Sequence, residues 1–129
     1  MKIFVRQSAL LALLLLLAGS AASLGVVREF HGSGNTTTAE FEVRAPWLID
    51  WRVNGEYSQA LGFEVDLMDA RTGLLTGRVL KTKRRGNGVR LFEESGHYRL
   101  RVTASLAKWQ IKVQEISRED AKLYTPSGN

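Results

Sequence analysis

Residues 96–113, "GHYRLRVTASLAKWQIKV", alternate apolar and polar side chains almost without a break. Tyr98, Leu100 and Val102 fall on one parity, Arg99, Arg101 and Thr103 on the other; Trp109, Ile111 and Val113 then repeat the device against Lys108, Gln110 and Lys112. Successive side chains of an extended backbone point to opposite faces, so a period of two describes strands with one dry and one wet face. Antiparallel sheets carry that pattern, whereas strands buried on both faces read as continuous apolar runs. The alternation recurs at Phe41 and Val43 against Glu40, Glu42 and Arg44, and at Phe63, Val65 and Leu67 against Glu64, Asp66 and Met68. Turn-forming residues punctuate the runs: "HGSGN" at 31–35, "NGE" at 54–56, "DARTG" at 69–73, "RRGNG" at 84–88 and "ESG" at 94–96. This spacing predicts an all-β chain, an antiparallel β-sandwich or jelly roll of about seven or eight short strands. Helical periodicity is confined to a turn or two around Ser117 to Tyr124.

The amino terminus is of a different kind. Lys2 and Arg6 precede an unbroken apolar block from Ala9 to Ala18, and the small residues "AGSAAS" follow. That order is the charged, apolar and cleavage regions of a secretory signal peptide. The block is too short for a membrane-spanning helix, which needs roughly 20 residues. The expected organisation is a signal peptide at 1–22, a β-sandwich domain at 23–116 and a C-terminal tail at 117–129, with cleavage after Ala22 or after Ser20. The protein is then exported, periplasmic or extracellular, with no transmembrane segment after cleavage. Taking 22 residues from 129 leaves 107, enough for one domain with a small core. The formal charge of +5 falls to +3 once Lys2 and Arg6 are removed. The chain has no cysteine, so burial alone must hold an exported domain of this size together.

Trp47, Ile49, Trp51 and Val53 share one parity and Leu48, Asp50 and Arg52 the other, which directs both indoles toward the interior with Trp109 and Leu48 toward the wet face. Burying indoles brings several kcal/mol to a small core, at roughly 25 cal/mol per Å² of apolar surface. For Trp47 a second reading stands beside this one. It follows Pro46 at the start of its strand, where a half-exposed ring at the sandwich edge would contact a glycan or a partner.

The motifs F-x-V at 41–43, W-x-x-x-W at 47–51, G-x-Y-x-L-x-V-x-A at 96–104 and W-x-I-x-V at 109–113 resemble those of small exported bacterial β-sandwich proteins of uncharacterised function. The closing strands also resemble bacterial pre-peptidase C-terminal domains, jelly-roll accessory modules attached to secreted enzymes. The resemblance spans most of residues 37–113 and implies a sandwich or jelly-roll fold.

Catalytic constellations are absent from the sequence. His31 and His97 are the two histidines, and without cysteine no His/Cys metal cluster can form. "HGSGN" places His31 near Ser33 but provides no orienting acid. Glu64, Asp66 and Asp69 have two readings, a calcium-type oxygen cluster or a hydrated outer face. The expectation is a non-enzymatic protein with no cofactor. One segment stands out: residues 78–90, "RVLKTKRRGNGVR", carry Arg78, Lys81, Lys83, Arg84, Arg85 and Arg90 and no acid. Gly86 and Gly88 around Asn87 suggest a tight hairpin, with Arg99 and Arg101 extending the patch across a neighbouring strand. Such cations either protect a sheet edge from aggregation or hold an anion. The candidate anion-binding residues are Lys81, Lys83, Arg84, Arg85 and Arg90. An exported module would meet anionic envelope lipids or glycans there, or a protein partner. No aromatic interleaves the basic run, which disfavours stacking on nucleic-acid bases. The alternative is an inhibitor or structural accessory subunit of a larger exported complex, acting by sheet-edge pairing.

Overall fold

The computed structural model describes residues 24–56 and 60–124. The expected signal peptide, both cleavage points and the last residues of the tail lie outside the described residues. Nine strands are present: β1 (Gly25–Gly32), β2 (Thr36–Thr37), β3 (Phe41–Val43), β4 (Trp47–Asn54), β5 (Gly62–Asp69), β6 (Leu75–Thr82), β7 (Gly86–Phe92), β8 (Gly96–Ser105) and β9 (Lys108–Glu115), followed by a short helix α1 (Arg118–Ala121).

The strands form two antiparallel sheets, one in the order β1-β9-β4-β7 and the other β2-β8-β5-β6, with β3 also on β8. β2 and β3 lie along the same edge of β8, Thr36 and Thr37 opposite Val102 and Arg101, and Phe41 to Val43 opposite Tyr98 to Gly96. They are one strand interrupted at Thr38. There the buried threonine hydroxyl accepts the Leu100 amide at 3.0 Å and donates to the Ala39 carbonyl at 3.0 Å, continuing the ladder through a side chain. Counted this way, each sheet has four strands and the order is that of a jelly roll. The all-β sandwich anticipated from the alternation is the observed fold.

The inner faces follow parity. Phe63, Val65 and Leu67 of β5, Leu100 and Val102 of β8, and Ile111 and Val113 of β9 are all buried. Trp109 is buried too, its indole N–H donating to the Gly34 carbonyl at 3.1 Å and its ring stacked with Phe63 at 6.3 Å. Trp51 is half-buried, packed against the same core. Each of these indoles lies over a glycine directly opposite it on an edge strand, Trp109 over Gly32 of β1 and Trp51 over Gly88 of β7. A Cβ added at either glycine would fall 2.7 Å from the ring, so glycine is what admits the indole there.

Of the two readings of Trp47 the core one holds, and the outer-face parity of Leu48 is corrected. Trp47 is not a half-exposed edge ring: it is 0% exposed. Phe92, opposite it on β7, stacks on it at 4.3 Å, Tyr98 closes from the other sheet at 5.5 Å, and its N–H donates to the Glu94 carbonyl at 2.8 Å. No face of that ring remains for a glycan or partner. Leu48, whose parity assigns it to the wet face, is buried as well. The chain after β9 folds back over it, and Ile116 and Ala121 of that segment, with half-buried Leu91, make a second small apolar cluster. The Ser117 hydroxyl caps α1 by accepting the Asp120 amide at 3.0 Å, which fixes the segment in place.

Candidate functional site

Six connections cross from one sheet to the other, and four of them, β1 to β2, β4 to β5, β6 to β7 and β8 to β9, leave from the same end. The register places them together. Gly32 lies opposite Trp109, Asn54 opposite Lys108 and Gly86 opposite Val53 in one sheet, while Gly62 lies opposite Ser105 and Phe63 opposite Thr82 in the other. Residues 33–35, 55–56, 60–61, 83–85 and 106–107 therefore cluster at one end of the sandwich, called the crossover end below.

The basic segment reaches this end in a form different from the tight hairpin expected. β6 and β7 belong to different sheets, so Lys83, Arg84 and Arg85 form a crossover between them. Gly86, Asn87 and Gly88 are not its tip. They are strand residues of β7, paired with Val53, Arg52 and Trp51. The glycine that looks like a turn former at 88 makes room for the Trp51 indole instead. Thr82 shapes the crossover, its hydroxyl accepting the Arg84 amide at 3.1 Å and donating to the Arg84 carbonyl at 3.2 Å.

The structure sorts the cations that the sequence lists side by side. Arg78 is paired with Glu64 at 2.8 Å and lies 3.7 Å from Asp66, which also pairs with Arg101 at 3.2 Å. Arg99 faces Glu40 at 3.8 Å. Arg99 and Arg101 thus do not extend a cationic patch; they neutralise acids on the outer face of their sheet. Glu64 and Asp66, two of the oxygen-bearing residues considered for calcium, are held by arginines. The third, Asp69, accepts the amides of Arg71 at 2.8 Å and Thr72 at 3.0 Å in the β5–β6 turn, at the other end. These bonds, the Thr72 amide foremost, hold its carboxyl below the ordinary carboxylate value. His31, expected in a loop, is part of β1, opposite Gln110.

Arg90 is drawn into the fold. It sits opposite Ile49 on β7, and its guanidinium reaches across the open side of the sandwich to the carbonyls of Arg78 and Val79 on β6, the latter at 3.0 Å. It also lies 5.6 Å over the Phe92 ring. These contacts cover carbonyls of an edge strand. All five residues of the candidate set, Lys81, Lys83, Arg84, Arg85 and Arg90, are exposed, and Arg90 differs in that its guanidinium is engaged with β6. The side chains of Lys81, Lys83 and Arg84 make no ion pair with any described residue.

Lys81 and Lys83 line a shallow groove of about 260 Å³ together with Asn35, Thr103 and Ser105. Asn35 accepts the Ala104 amide at 2.8 Å through its carbonyl oxygen, which leaves its NH₂ as a donor. The named residues carry two ammonium groups, two hydroxyls and one carboxamide, donor types that suit the oxygens of a phosphate, sulfate or carboxylate group, around a groove whose exposed lining is largely apolar. Glu64 is on the groove wall, its charge met by Arg78. Sequence reasoning missed Asn35, Thr103 and Ser105, because only the pairing of β5 with both β6 and β8 brings them beside the lysines. It also missed Lys108, exposed at the start of β9 on the same end. No protein-family model matches the chain, and a search of curated proteins finds no relative.

Proposed function

We propose that the protein is an exported, non-enzymatic binding module that recognises anionic envelope material through the crossover end, using Lys81, Lys83, Arg84 and Arg85. One observation carries this reading: Lys81, Lys83 and Arg84 stand exposed within four residues of one another with no ion pair to any described residue, whereas Arg78 beside them, and Arg99 and Arg101 on β8, are ion-paired. Clustered like charges repel one another, and an anion among them turns that repulsion into attraction. The donors of Asn35, Thr103 and Ser105 add short bonds to the long-range pull. Arg90 is outside the set, because its guanidinium serves β6.

The test is cosedimentation with anionic and neutral vesicles, together with retention on immobilised acidic polysaccharides, at low and high salt. Binding to anionic surfaces that falls steeply with salt supports the reading, since screening weakens contacts between exposed charges. Binding that resists salt supports the alternative, in which an exposed sheet edge pairs with a partner strand. Lack of preference for any anionic surface at low salt refutes the anion reading.

A further inference from the structure

The turn between β8 and β9 holds a residue that the anion reading does not use. Leu106 is 60% exposed and has φ +54°, the left-handed region that costs a leucine about 1–2 kcal/mol relative to its ordinary conformations. The strain is locked in from both sides. A Cβ at Gly55 would lie 2.7 Å from the Leu106 carbonyl oxygen, so the turn rests directly on that glycine, and the next residue, Ala107, is buried. Glycine would relieve the backbone at 106 without loss to the core, because the leucine side chain contributes little burial within the fold. A lone exposed leucine is ordinary. A leucine held in strain on the end that also carries exposed Lys83, Arg84 and Lys108 is a specific combination.

We propose that the crossover end docks onto an anionic lipid bilayer, with Leu106 entering the boundary between headgroups and acyl chains while Lys83, Arg84 and Lys108 sit among the headgroup phosphates. This rests on the anion-binding reading and specifies its partner. Stable attachment to a membrane surface generally takes two signals, an apolar insertion and a basic patch, and this end carries both. Charge alone would serve a soluble polyanion equally well; the apolar apex is what a bilayer can use and a glycan chain cannot. Among the described residues of the four crossover connections Glu56 is the one acid, so the field at this end remains positive.

The experiment compares wild type, Leu106→Gly and the double reversal Lys83→Glu/Arg84→Glu on two probes, vesicles rich in phosphatidylglycerol and soluble dextran sulfate. Leu106→Gly should bind the vesicles about fivefold more weakly, the loss of one partly inserted aliphatic side chain, and dextran sulfate as well as wild type does. The double reversal should lose both probes. Leu106→Gly should melt no lower than wild type, since its backbone is relieved. The chain has no cysteine, so Leu106→Cys carries a single environment-sensitive dye, whose emission should shift to the blue on anionic vesicles. Equal vesicle binding by wild type and Leu106→Gly, or a dye that stays in a watery environment on bound vesicles, overturns the insertion. Wild type that binds dextran sulfate but not vesicles overturns it while leaving the anion reading intact. Wild type that binds neither removes both.

Discussion

Replacing Gly32 with alanine should destabilise the protein only while Trp109 is present. The added Cβ falls 2.7 Å from Cζ2 of Trp109, 3.0 Å from Cε2 and 3.3 Å from Cη2. The ring cannot step aside easily, because its N–H is bonded to the Gly34 carbonyl at 3.1 Å and its face is stacked on Phe63. Forcing atoms into such a fitted site costs about 1–3 kcal/mol. In a Trp109→Leu background the obstructing ring is gone. Gly32→Ala should then be neutral, or stabilising by up to about 1 kcal/mol, because alanine loses less backbone entropy than glycine on folding. The coupling between the two positions is therefore about 1–4 kcal/mol, large for a pair in which one partner has no side chain. Trp109→Leu carries its own cost, which cancels in the cycle. Urea unfolding of the four proteins, followed by far-ultraviolet circular dichroism, measures it. A Gly32→Ala effect of equal size in both backgrounds, or no effect beside native Trp109, would refute the close approach.

Two further outcomes test the fold around the site. Arg90→Met should cost about 1–2 kcal/mol, the worth of a charged donor's bonds to backbone carbonyls discounted for exposure, and should leave β6 more prone to self-association in analytical ultracentrifugation; stability and monomer content equal to wild type would return Arg90 to the surface set. Tyr98 donates to the carbonyls of Glu94 at 3.2 Å and Ser95 at 3.4 Å, and burial, with the nearby charges of Glu94 and Asp69, raises its pKa above the ordinary tyrosine value of 10.0. The folded state then favours the neutral phenol, so its contribution is full below pH 10.0 and is lost as pH rises through the folded value. Tyr98→Phe should flatten the alkaline limb of the stability profile, and an unchanged limb would contradict the burial of the hydroxyl.

The sandwich was legible because parity is a local property. A strand such as β5 or β9 shows its dry face in its own sequence, and Val65, Leu67, Ile111 and Val113 are buried as alternation requires. Where two distant segments meet, the sequence has no such signal. Leu48 reads as solvent-facing because nothing within β4 reveals that Ile116 and Ala121 will cover it. Trp47 reads two ways, as core by its parity and as an edge ring by its place after Pro46, because its enclosure comes from Phe92 and Tyr98, more than forty residues away. Gly88 reads as a turn former, since a glycine that admits an indole and a glycine that bends the chain are the same letter. The candidate site was legible in part. The basic run is visible in the sequence, but which cations remain exposed depends on Glu64, Asp66 and the β6 carbonyls, all set by pairing. One local clue to the crossover end was present: the alternation breaks at residues 105–107, where an apolar Leu106 occupies a turn that normally takes polar residues.

The central claim is that position, and not net charge, makes the crossover end the binding surface. Two double reversals separate these. Lys83→Glu/Arg84→Glu alters the crossover end, and Arg44→Glu/Arg71→Glu alters exposed arginines near the opposite end by the same total charge. The measurement is affinity for phosphatidylglycerol vesicles across a range of salt concentrations, with melting temperature as the check on folding. The account predicts that the first pair abolishes binding and its salt dependence, while the second weakens binding only slightly. Equal losses from the two reversals, or full binding by the first, would contradict it.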